Sequence, residues 1–520
     1  MNKKTAKYYV FMVIAVLGVY VSCATTSALW YDESIEYFFS KFVVGSVPGG
    51  RATNSMYERI CSTYQPPLYN WLMYIWLMFF DSEFGFRMAG IATTILGGLG
   101  FFLGLNKLTN EKYAAIGTLV YHLTTSVAYY ALECAEYNLM LSCICWTLYF
   151  FISYIVDCKK YQLAGFFVFS ILSVYSQYGA AFLIVGLYLI LIWNCFRKKW
   201  ENIGLLILLT AVAAVFGILL IALFLIPQIT RQGTTAVSHV PYFAYGNVFK
   251  DMLISLYNHV RWTYCTYSEN FSSILIVVMV AGIATVFALL LRKDKILEML
   301  VAVTVISWGI YYLVVACSFY GYNSWNASSI GTSNIGGRYG LFFVPLWSIV
   351  LLYGLYIGLI MTSGKWKPIC KYAGIILALT FGISSCFGIY NFPPKDDVRE
   401  VTNAWYQIEA YKERTLVHQW DDANFQYYLT HDNRYSEQYQ SNIVAADYWI
   451  RNADAETMET ELKKLGFLDN ASFYYITPIE AYQESYGAFV SVMEKYGYSV
   501  DKTYSGKSAL IKVTKWDIGR

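Results

Sequence analysis

Long apolar runs separated by short polar segments fill the chain as far as Tyr390. A helix needs about 20 residues to cross the hydrocarbon core of a bilayer. Eleven runs approach or exceed this length, at 8–29, 87–105, 113–131, 137–156, 161–176, 178–196, 203–226, 271–291, 297–319, 339–360 and 372–390. The apolar run 67–80 has only 14 residues, which suits an interfacial or re-entrant helix. The pattern predicts a polytopic α-helical membrane protein with about 11 transmembrane helices.

Beyond residue 390 the pattern changes to an alternation of helical and strand-like segments. Helices are predicted at Asp396–Glu413 and Ala481–Tyr496, and strands at Thr415–Gln419 and Ser472–Ile476 and near 498–503 and 510–514. Such an alternation is typical of a small α/β domain. We therefore divide the chain into a transmembrane domain, 1–390, and a soluble domain, 391–520.

The composition agrees with this division and excludes several classes of protein. Hydrophobic residues make up 57% of the chain and charged residues only 14%, against about 25% in a soluble domain. A net charge of +3 with no basic stripe excludes nucleic acid as a partner. The eleven cysteines show no CxxC pair or Cys/His ligand spacing, which argues against a disulfide framework or a zinc site.

Lysine and arginine predict how the chain is oriented in the membrane. One set of loops carries sixteen of them and the opposite set eight, and cytoplasmic loops are the ones enriched in these residues. The N-terminus is therefore expected in the cytoplasm of a plasma-membrane protein, and the C-terminal domain outside. The long loops, 30–86, 227–270 and 320–338, then lie at the outer face, where we expect the chemistry.

Two adjacent carboxylates, Asp32 and Glu33, follow the first predicted span. Asp32 is a suitable N-cap for a helix over 33–43. Alternatively, a carboxylate at the edge of an apolar region is suited to take the proton from an acceptor hydroxyl as a general base. Position alone does not decide between these interpretations.

Further polar residues lie at the outer ends of other predicted spans. Gln65 precedes Pro66-Pro67 at the start of the interfacial run, and Arg87 begins the second span. Glu133 and Glu136 would share one helical face, next to Tyr137. Arg338-Tyr339 follows two glycines. Arginine is suited to multidentate phosphate binding, although a single boundary arginine is also common at membrane interfaces.

Taken together, these residues resemble the motifs of the GT-C superfamily of membrane glycosyltransferases. The resemblance is strongest to the branch that holds protein O-mannosyltransferases and the lipid A aminoarabinose transferase, and it covers roughly residues 8–360. The matching stretches are Tyr31-Asp32-Glu33, Gln65-Pro66-Pro67-Leu68 with Phe86-Arg87, Glu133 with Tyr137, and Arg338-Tyr339 with Pro345.

The resemblance implies a function and a set of roles. The donor would be a polyprenyl-phosphate-linked sugar, transferred with inversion at the outer face to a hydroxyl of a glycan, lipid or protein. Asp32 would be the catalytic base beside Glu33, and Arg87 and Arg338 would contact the lipid phosphate. The remaining substrate-binding positions would be Gln65, Glu133, Tyr137 and Tyr339.

The sequence departs from the family at two positions. Gln65 stands where histidine is usual before Pro-Pro, and Ala135 stands where arginine is common. Glutamine forms hydrogen bonds but does not carry charge at neutral pH. These departures leave open a non-catalytic scaffold with the same fold. A transporter of lipid-linked sugars is a third interpretation, although the sequence shows no internal repeat of the kind found in transporters. No cofactor is required by the sequence, and outer carboxylates leave room for a divalent cation.

The charge distribution predicts that the C-terminal domain lies outside the cell. A reporter that is active only in the cytoplasm is expected to be silent when it is fused after Arg520 and active when it is fused before Met1. Activity of the C-terminal fusion would contradict the predicted orientation.

Overall fold

The computed structural model describes residues 3–24, 26–42, 45–47, 51–53, 55–63, 65–197, 202–232, 271–316, 340–361, 366–391 and 396–516, with scattered residues between 253 and 264. The chain divides into two compact units. The helical unit comprises Met1–Ala24, Thr63–Leu72 and Arg87–Phe392, and the sheet unit comprises Thr25–Ser62, Met73–Phe86 and Pro393–Arg520. The sheet unit thus combines the tail with most of the first long loop.

Helices make up most of the chain, and strands are concentrated in the tail. In chain order the helices are α1 (Lys3–Cys23), α2 (Tyr31–Ser40), α3 (Met56–Ile60), α4 (Leu68–Leu77), α5 (Glu83–Leu108), α6 (Glu111–Leu123), α7 (Thr125–Leu132), α8 (Tyr137–Asp157), α9 (Lys160–Ser176), α10 (Ala180–Arg197), α11 (Ile203–Leu220), α12 (Ile226–Gln232), α13 (Phe271–Arg292), α14 (Lys295–Ala316), α15 (Val344–Met361), α16 (Trp366–Tyr390), α17 (Val398–Gln407), α18 (Gln419–Thr430), α19 (Ala455–Lys464) and α20 (Gln483–Lys495). The strands are β1 (Gly45–Val47), β2 (Arg51–Thr53), β3 (Thr415–Val417), β4 (Ile443–Ala445), β5 (Ser472–Thr477), β6 (Tyr498–Ser505) and β7 (Ala509–Lys515).

The apolar runs form helices, and the chain is an integral membrane protein. Within the described ranges, eight helices are long and apolar enough to cross a membrane, so the predicted count of eleven is not confirmed. The run 113–131 is divided between α6 and α7, because Thr124 leaves the helical conformation (φ −57°, ψ 126°). Helix α9 has only 17 residues, which is short for a span.

The first predicted span, 8–29, extends beyond the C-terminal end of the observed helix, because α1 ends at Cys23. The backbone beyond it bonds to side chains of the tail instead of continuing the helix. Arg399 Nη2 donates to the carbonyl oxygen of Ser27 at 3.0 Å, and the backbone N–H of Leu29 donates to Tyr428 Oη at 2.6 Å. Tertiary partners therefore replace the intrahelical hydrogen bonds that the apolar pattern predicted.

Close helix contacts in the helical unit depend on small residues. Helix α8 packs against α9, α13 against α15, and α10 against α14. At Gly97 of α5, an added Cβ would lie 2.6 Å from Ser142 Cα of α8. Small residues of this kind let helix backbones approach each other within a membrane.

The tail contains a five-stranded mixed sheet with the order β4-β3-β5-β7-β6. Strands β4, β3 and β5 are parallel, and β7 pairs antiparallel with both β5 and β6. The predicted α/β class is confirmed. Strand β4 and helices α18 and α19 were not predicted. Strand β4 has only three residues. Helix α18 has little helical amphipathicity, because polar residues are buried among its apolar ones.

Both faces of this sheet are covered by helices. Side chains alternate along β5, so Phe473 and Tyr475 join a core with α19 and α20. Tyr474 and Ile476 join a second core with α17 and α18, centred on Trp405. Because parallel strands are normally buried on both faces, this three-layer arrangement follows from the apolar character of β3 and β5.

Buried carboxylates lie where α18 begins. Asp421 Oδ1 accepts a hydrogen bond from Ser508 Oγ at 3.1 Å, and Asp396 Oδ2 accepts one from Asn424 Nδ2 at 2.6 Å. Burial raises the pKa of Asp396 to about 7, and burial together with the charge of Asp396 raises the pKa of Asp421 well above its ordinary value. These two groups therefore favour the neutral form in the folded state.

The stability of the region around Asp396 and Asp421 is expected to fall as the pH rises. An unfolded aspartate titrates near pH ~4, whereas Asp396 titrates at about 7 in the folded chain, so the stabilisation is complete below about pH 4 and is lost through pH 7. Asp421→Asn removes one charge from the pair. At pH 8 it should raise the hydrogen-exchange protection of residues 415–424 by at least about tenfold, the equivalent of one pKa unit. Asp469→Asn, at an exposed position, is the control, and equal protection in Asp421→Asn and wild type at pH 8 would contradict the prediction.

Candidate active site

The predicted catalytic pair lies in the first turn of α2, in the sheet unit. Trp30 is the N-cap residue, and its backbone N–H donates to Glu33 Oε2 at 3.2 Å. The alternative in which Asp32 caps a helix over 33–43 is wrong about the cap, because the helix begins at Tyr31 and Glu33 bonds the backbone of its N-cap residue. Glu33 is buried at 3% exposure, whereas Asp32 is partly exposed. Of the two carboxylates, Asp32 is the more accessible to a substrate.

Helix α2 is held in place by aromatic and polar residues of the tail. The Tyr31 ring stacks on Trp420 of α18 with centroids 4.8 Å apart. Gln419 Nε2 donates to Tyr31 Oη at 2.6 Å, and Arg451 Nε donates to Gln419 Oε1. The residue immediately before Asp32 is therefore fixed by a stack and a chain of hydrogen bonds.

A second connection joins the approach to α2 with the start of α5. Glu83 forms an ion pair with Arg399, whose Nη2 donates to the carboxylate at 2.6 Å. The same carboxylate accepts a hydrogen bond from Tyr428 Oη at 3.1 Å. Tyr428 Oη in turn accepts from the backbone N–H of Leu29. Nothing in the sequence indicated this network, because its members are separated by hundreds of residues.

Gln65 is held through its backbone in the helical unit. Its carbonyl oxygen accepts from Gln228 Nε2 at 2.7 Å, and Gln228 Oε1 accepts from Tyr178 Oη at 2.9 Å. The side-chain Oε1 of Gln65 is buried and has no hydrogen-bond partner among the described residues. The Trp71 N–H donates to the Pro67 carbonyl at 3.1 Å, in the first turn of α4, so the apolar run 67–80 does contain a helix.

Arg87 and the turn between α7 and α8 come together in the helical unit. Arg87 Nη1 donates to the carbonyl oxygen of Leu132, the last residue of α7. Asn138 Nδ2 donates to the carbonyl oxygens of Tyr130 at 3.4 Å and Glu133 at 3.3 Å. Arg87, Glu133 and Glu136 are all buried, so this region places charges of both signs in a low-dielectric setting.

The aromatic residue of this motif packs on the same turn. Tyr137 is buried, and its ring lies 4.7 Å from that of Tyr130. Arg338 and Tyr339 lie outside the described residues, as do the loop 320–338 and most of the loop 227–270, both of which were predicted at the outer face. The structure therefore brings Arg87, Glu133 and Tyr137 into one region, and the assigned roles of all eight residues stay predictions.

Sequence inspection did not single out Arg59. It counted only as one of the basic residues of the outer loops, yet its side chain is 1% exposed in the sheet unit. Burial lowers its pKa to about 10. No pattern in the sequence distinguishes this arginine from an exposed one.

A protein-family model matches part of the sequence, and solved structures match the fold. Residues 64–218 match a family model described as dolichyl-phosphate-mannose-protein mannosyltransferase. That stretch contains Gln65, Arg87, Glu133 and Tyr137. A comparison with curated proteins finds no match.

Solved structures resemble the whole chain. ArnT from Cupriavidus metallidurans, crystallised with undecaprenyl phosphate, has a TM-score of 0.53 at 11% identity, and the match covers 98% of each chain. An oligosaccharyltransferase of Archaeoglobus fulgidus, crystallised with Zn and sulfate, has a TM-score of 0.52 at 12% identity, over 95% of this chain and 72% of that chain.

This chain has the GT-C fold. The resemblance inferred from the four sequence motifs is confirmed.

Gly90 is expected to be essential for the approach of α5 to the Glu133 turn. An added Cβ there would lie 2.7 Å from both the Ala131 carbonyl oxygen and Asn138 Nδ2, so Gly90→Ala should destabilise the protein by about 1–3 kcal/mol. Gly18→Ala is the control, because an added Cβ meets nothing within 4 Å there. Thermal unfolding in detergent measures both variants, and equal midpoints would show that the close approach is not required.

Proposed function

We propose that this protein transfers a sugar from a polyprenyl-phosphate-linked donor to an acceptor hydroxyl at the outer face of the membrane, with inversion. The acceptor belongs to a glycan, a lipid or a protein. The observation that supports this proposal most directly is a partly exposed carboxylate, Asp32, at the start of a helix held by the tail, in a chain with the GT-C fold.

Asp32 has the properties of a general base in this reaction. The acceptor oxygen forms a bond to the anomeric carbon while the bond from that carbon to the phosphate oxygen breaks. The hydroxyl proton passes to the Asp32 carboxylate, and the polyprenyl phosphate leaves as an anion. A single displacement of this kind inverts the anomeric carbon, and a positioned base contributes roughly 10²–10⁴-fold to the rate.

Glu33 has a different role, because its carboxylate accepts the backbone N–H of Trp30. That bond keeps it at the N-terminus of α2, where a negative charge is favourable. We assign Glu33 to positioning the helix that carries Asp32. Arg87 and Arg338 are assigned to the leaving phosphate, and Gln65, Glu133, Tyr137 and Tyr339 to donor or acceptor.

A divalent cation is a further candidate for stabilising the leaving phosphate. Within the described ranges no group of three His, Cys, Asp or Glu side chains is placed to hold a metal ion. The step above is written with the protein's own side chains. Turnover with and without a chelator tests this assignment.

The proposed function is tested by supplying purified protein with a panel of polyprenyl-phosphate sugars. Release of polyprenyl phosphate with glycosylated acceptor is the expected result. A wild-type protein that binds a donor but turns over none of the panel would favour the non-catalytic scaffold. Movement of intact donor across vesicles without transfer would favour the transporter.

Asp32→Asn is expected to lower turnover by at least about 10²-fold, because the amide no longer takes a proton. Donor binding and the thermal midpoint should be unchanged, since Asp32 is not the capping residue of α2. Glu33→Gln is the matched control, because glutamine also accepts the capping hydrogen bond, and its effect should be much smaller. Turnover by Asp32→Asn close to the wild-type rate would show that another group is the base.

A further inference from the structure

Arg59 lies near the end of α3, a short helix whose N-cap Ser55 accepts the backbone N–H of Glu58 at 3.1 Å. Its guanidinium carbon is 5.4 Å from the centroid of the Phe39 ring on α2. The side chain is 1% exposed, which makes it one of the largest fully buried side chains of the chain.

The guanidinium group of Arg59 lacks partners in the part of the chain that the structure describes. Nε, Nη1 and Nη2 are all buried without a hydrogen bond. Several other cationic side chains of the sheet unit are paired, for example Arg399 with Glu83 and Lys41 with Asp81. Arg414 donates to two backbone carbonyls.

An unpaired buried arginine has a high free-energy cost. Five N–H donors are removed from water, and the group stays protonated at neutral pH because its pKa remains about 10. The contact with Phe39 offsets only part of this cost. A bound anion that accepts several of these N–H groups would offset much more of it.

The position of Arg59 relates it to the predicted base. Asp32 and Phe39 are seven residues apart in α2, which is about two turns, so they lie on one face of the helix roughly 10 Å apart along its axis. In a displacement reaction the base and the leaving group act on opposite sides of the reacting carbon. Because Arg59 lies over the Phe39 ring, a phosphate bound at Arg59 would lie on the same helix face as Asp32. It would be separated from Asp32 by about two turns along the helix axis.

The same unit also presents a surface suited to lipid. Large apolar side chains are exposed at the end of α4 and just beyond it, namely Ile75, Met78, Phe79, Phe80 and Phe84. Met56 and Tyr57, in the helix that carries Arg59, are exposed as well. An exposed apolar patch of this kind fits a membrane interface better than water.

We infer that Arg59 binds the phosphate group of the polyprenyl-phosphate donor and of the polyprenyl phosphate that leaves. This inference rests on the proposed function and adds a phosphate-binding residue outside the four motifs. The planar guanidinium group donates two N–H groups to two phosphate oxygens. Because the negative charge on the phosphate grows as the bond to the sugar breaks, these hydrogen bonds strengthen toward the transition state.

Binding of undecaprenyl phosphate by the purified full-length chain tests the inference. Wild type is expected to bind undecaprenyl phosphate more tightly than undecaprenol, and millimolar inorganic phosphate should compete with the lipid. Arg59→Met should weaken the binding of undecaprenyl phosphate by at least about tenfold, in line with the loss of charged hydrogen bonds, and leave undecaprenol binding unchanged. Arg59→Lys keeps the charge without the paired N–H groups and should fall between the two.

Arg434→Met is the matched control. It removes one positive charge from an exposed position of the same unit, and its affinity for undecaprenyl phosphate should equal that of wild type. If Arg59→Met does not fold, Arg59→Lys provides the comparison at equal thermal stability. Affinity within twofold of wild type in a folded Arg59 variant overturns the inference, as does an equal loss of undecaprenol binding, because that pattern indicates a purely structural role.

The outcomes separate this inference from the proposed function. If Arg59 governs phosphate binding but wild type transfers no sugar, the proposed function fails and the phosphate site stands. If wild type transfers sugar and Arg59→Met binds the lipid phosphate normally, the phosphate site fails and the proposed function stands.

Discussion

The carboxylate of Glu83 holds together the segments on which the predicted base depends. It accepts from Arg399 and from Tyr428, and those two side chains also bond the backbone of Ser27 and Leu29. The segment that leads into α2 is therefore fixed by Arg399 and Tyr428. Removal of Glu83 would leave the partly buried Arg399 without its carboxylate partner, and removing one partner of an ion pair is destabilising.

Four charged residues in or near the candidate regions are buried. Arg59, Arg87, Glu133 and Glu136 are almost fully removed from solvent, and each would be more stable in water than in an apolar interior. Charged side chains are seldom fully buried unless they are paired, and strongly perturbed buried groups are concentrated at functional sites. Asp32 contrasts with them, because it is partly exposed and remains accessible to a substrate.

The two parts of the fold differ in how far the sequence predicts them. Apolar runs in the first 390 residues mark the helices well, because a bilayer requires long apolar segments whose backbone groups are satisfied internally. The ends of these runs are marked less well. Helix α1 stops at Cys23 because tail side chains bond the following backbone, and the break at Thr124 has no glycine or proline to indicate it. In the tail, α18 went unpredicted because it buries Gln419, Asp421, Asp422 and Asn424 beside its apolar residues.

The sequence by itself determined the membrane character, the α/β class of the tail and the resemblance to the GT-C superfamily, because apolar length, alternation and short motifs are local properties. It also placed Asp32, Arg87, Glu133 and Tyr137 among the candidates. Only the tertiary structure decided which carboxylate caps α2 and which remains accessible. It also decided that Arg59 is buried, with Phe39 beside it. Burial and hydrogen bonding depend on partners that are distant along the chain, such as Gln419 for Tyr31, so no local pattern contains them.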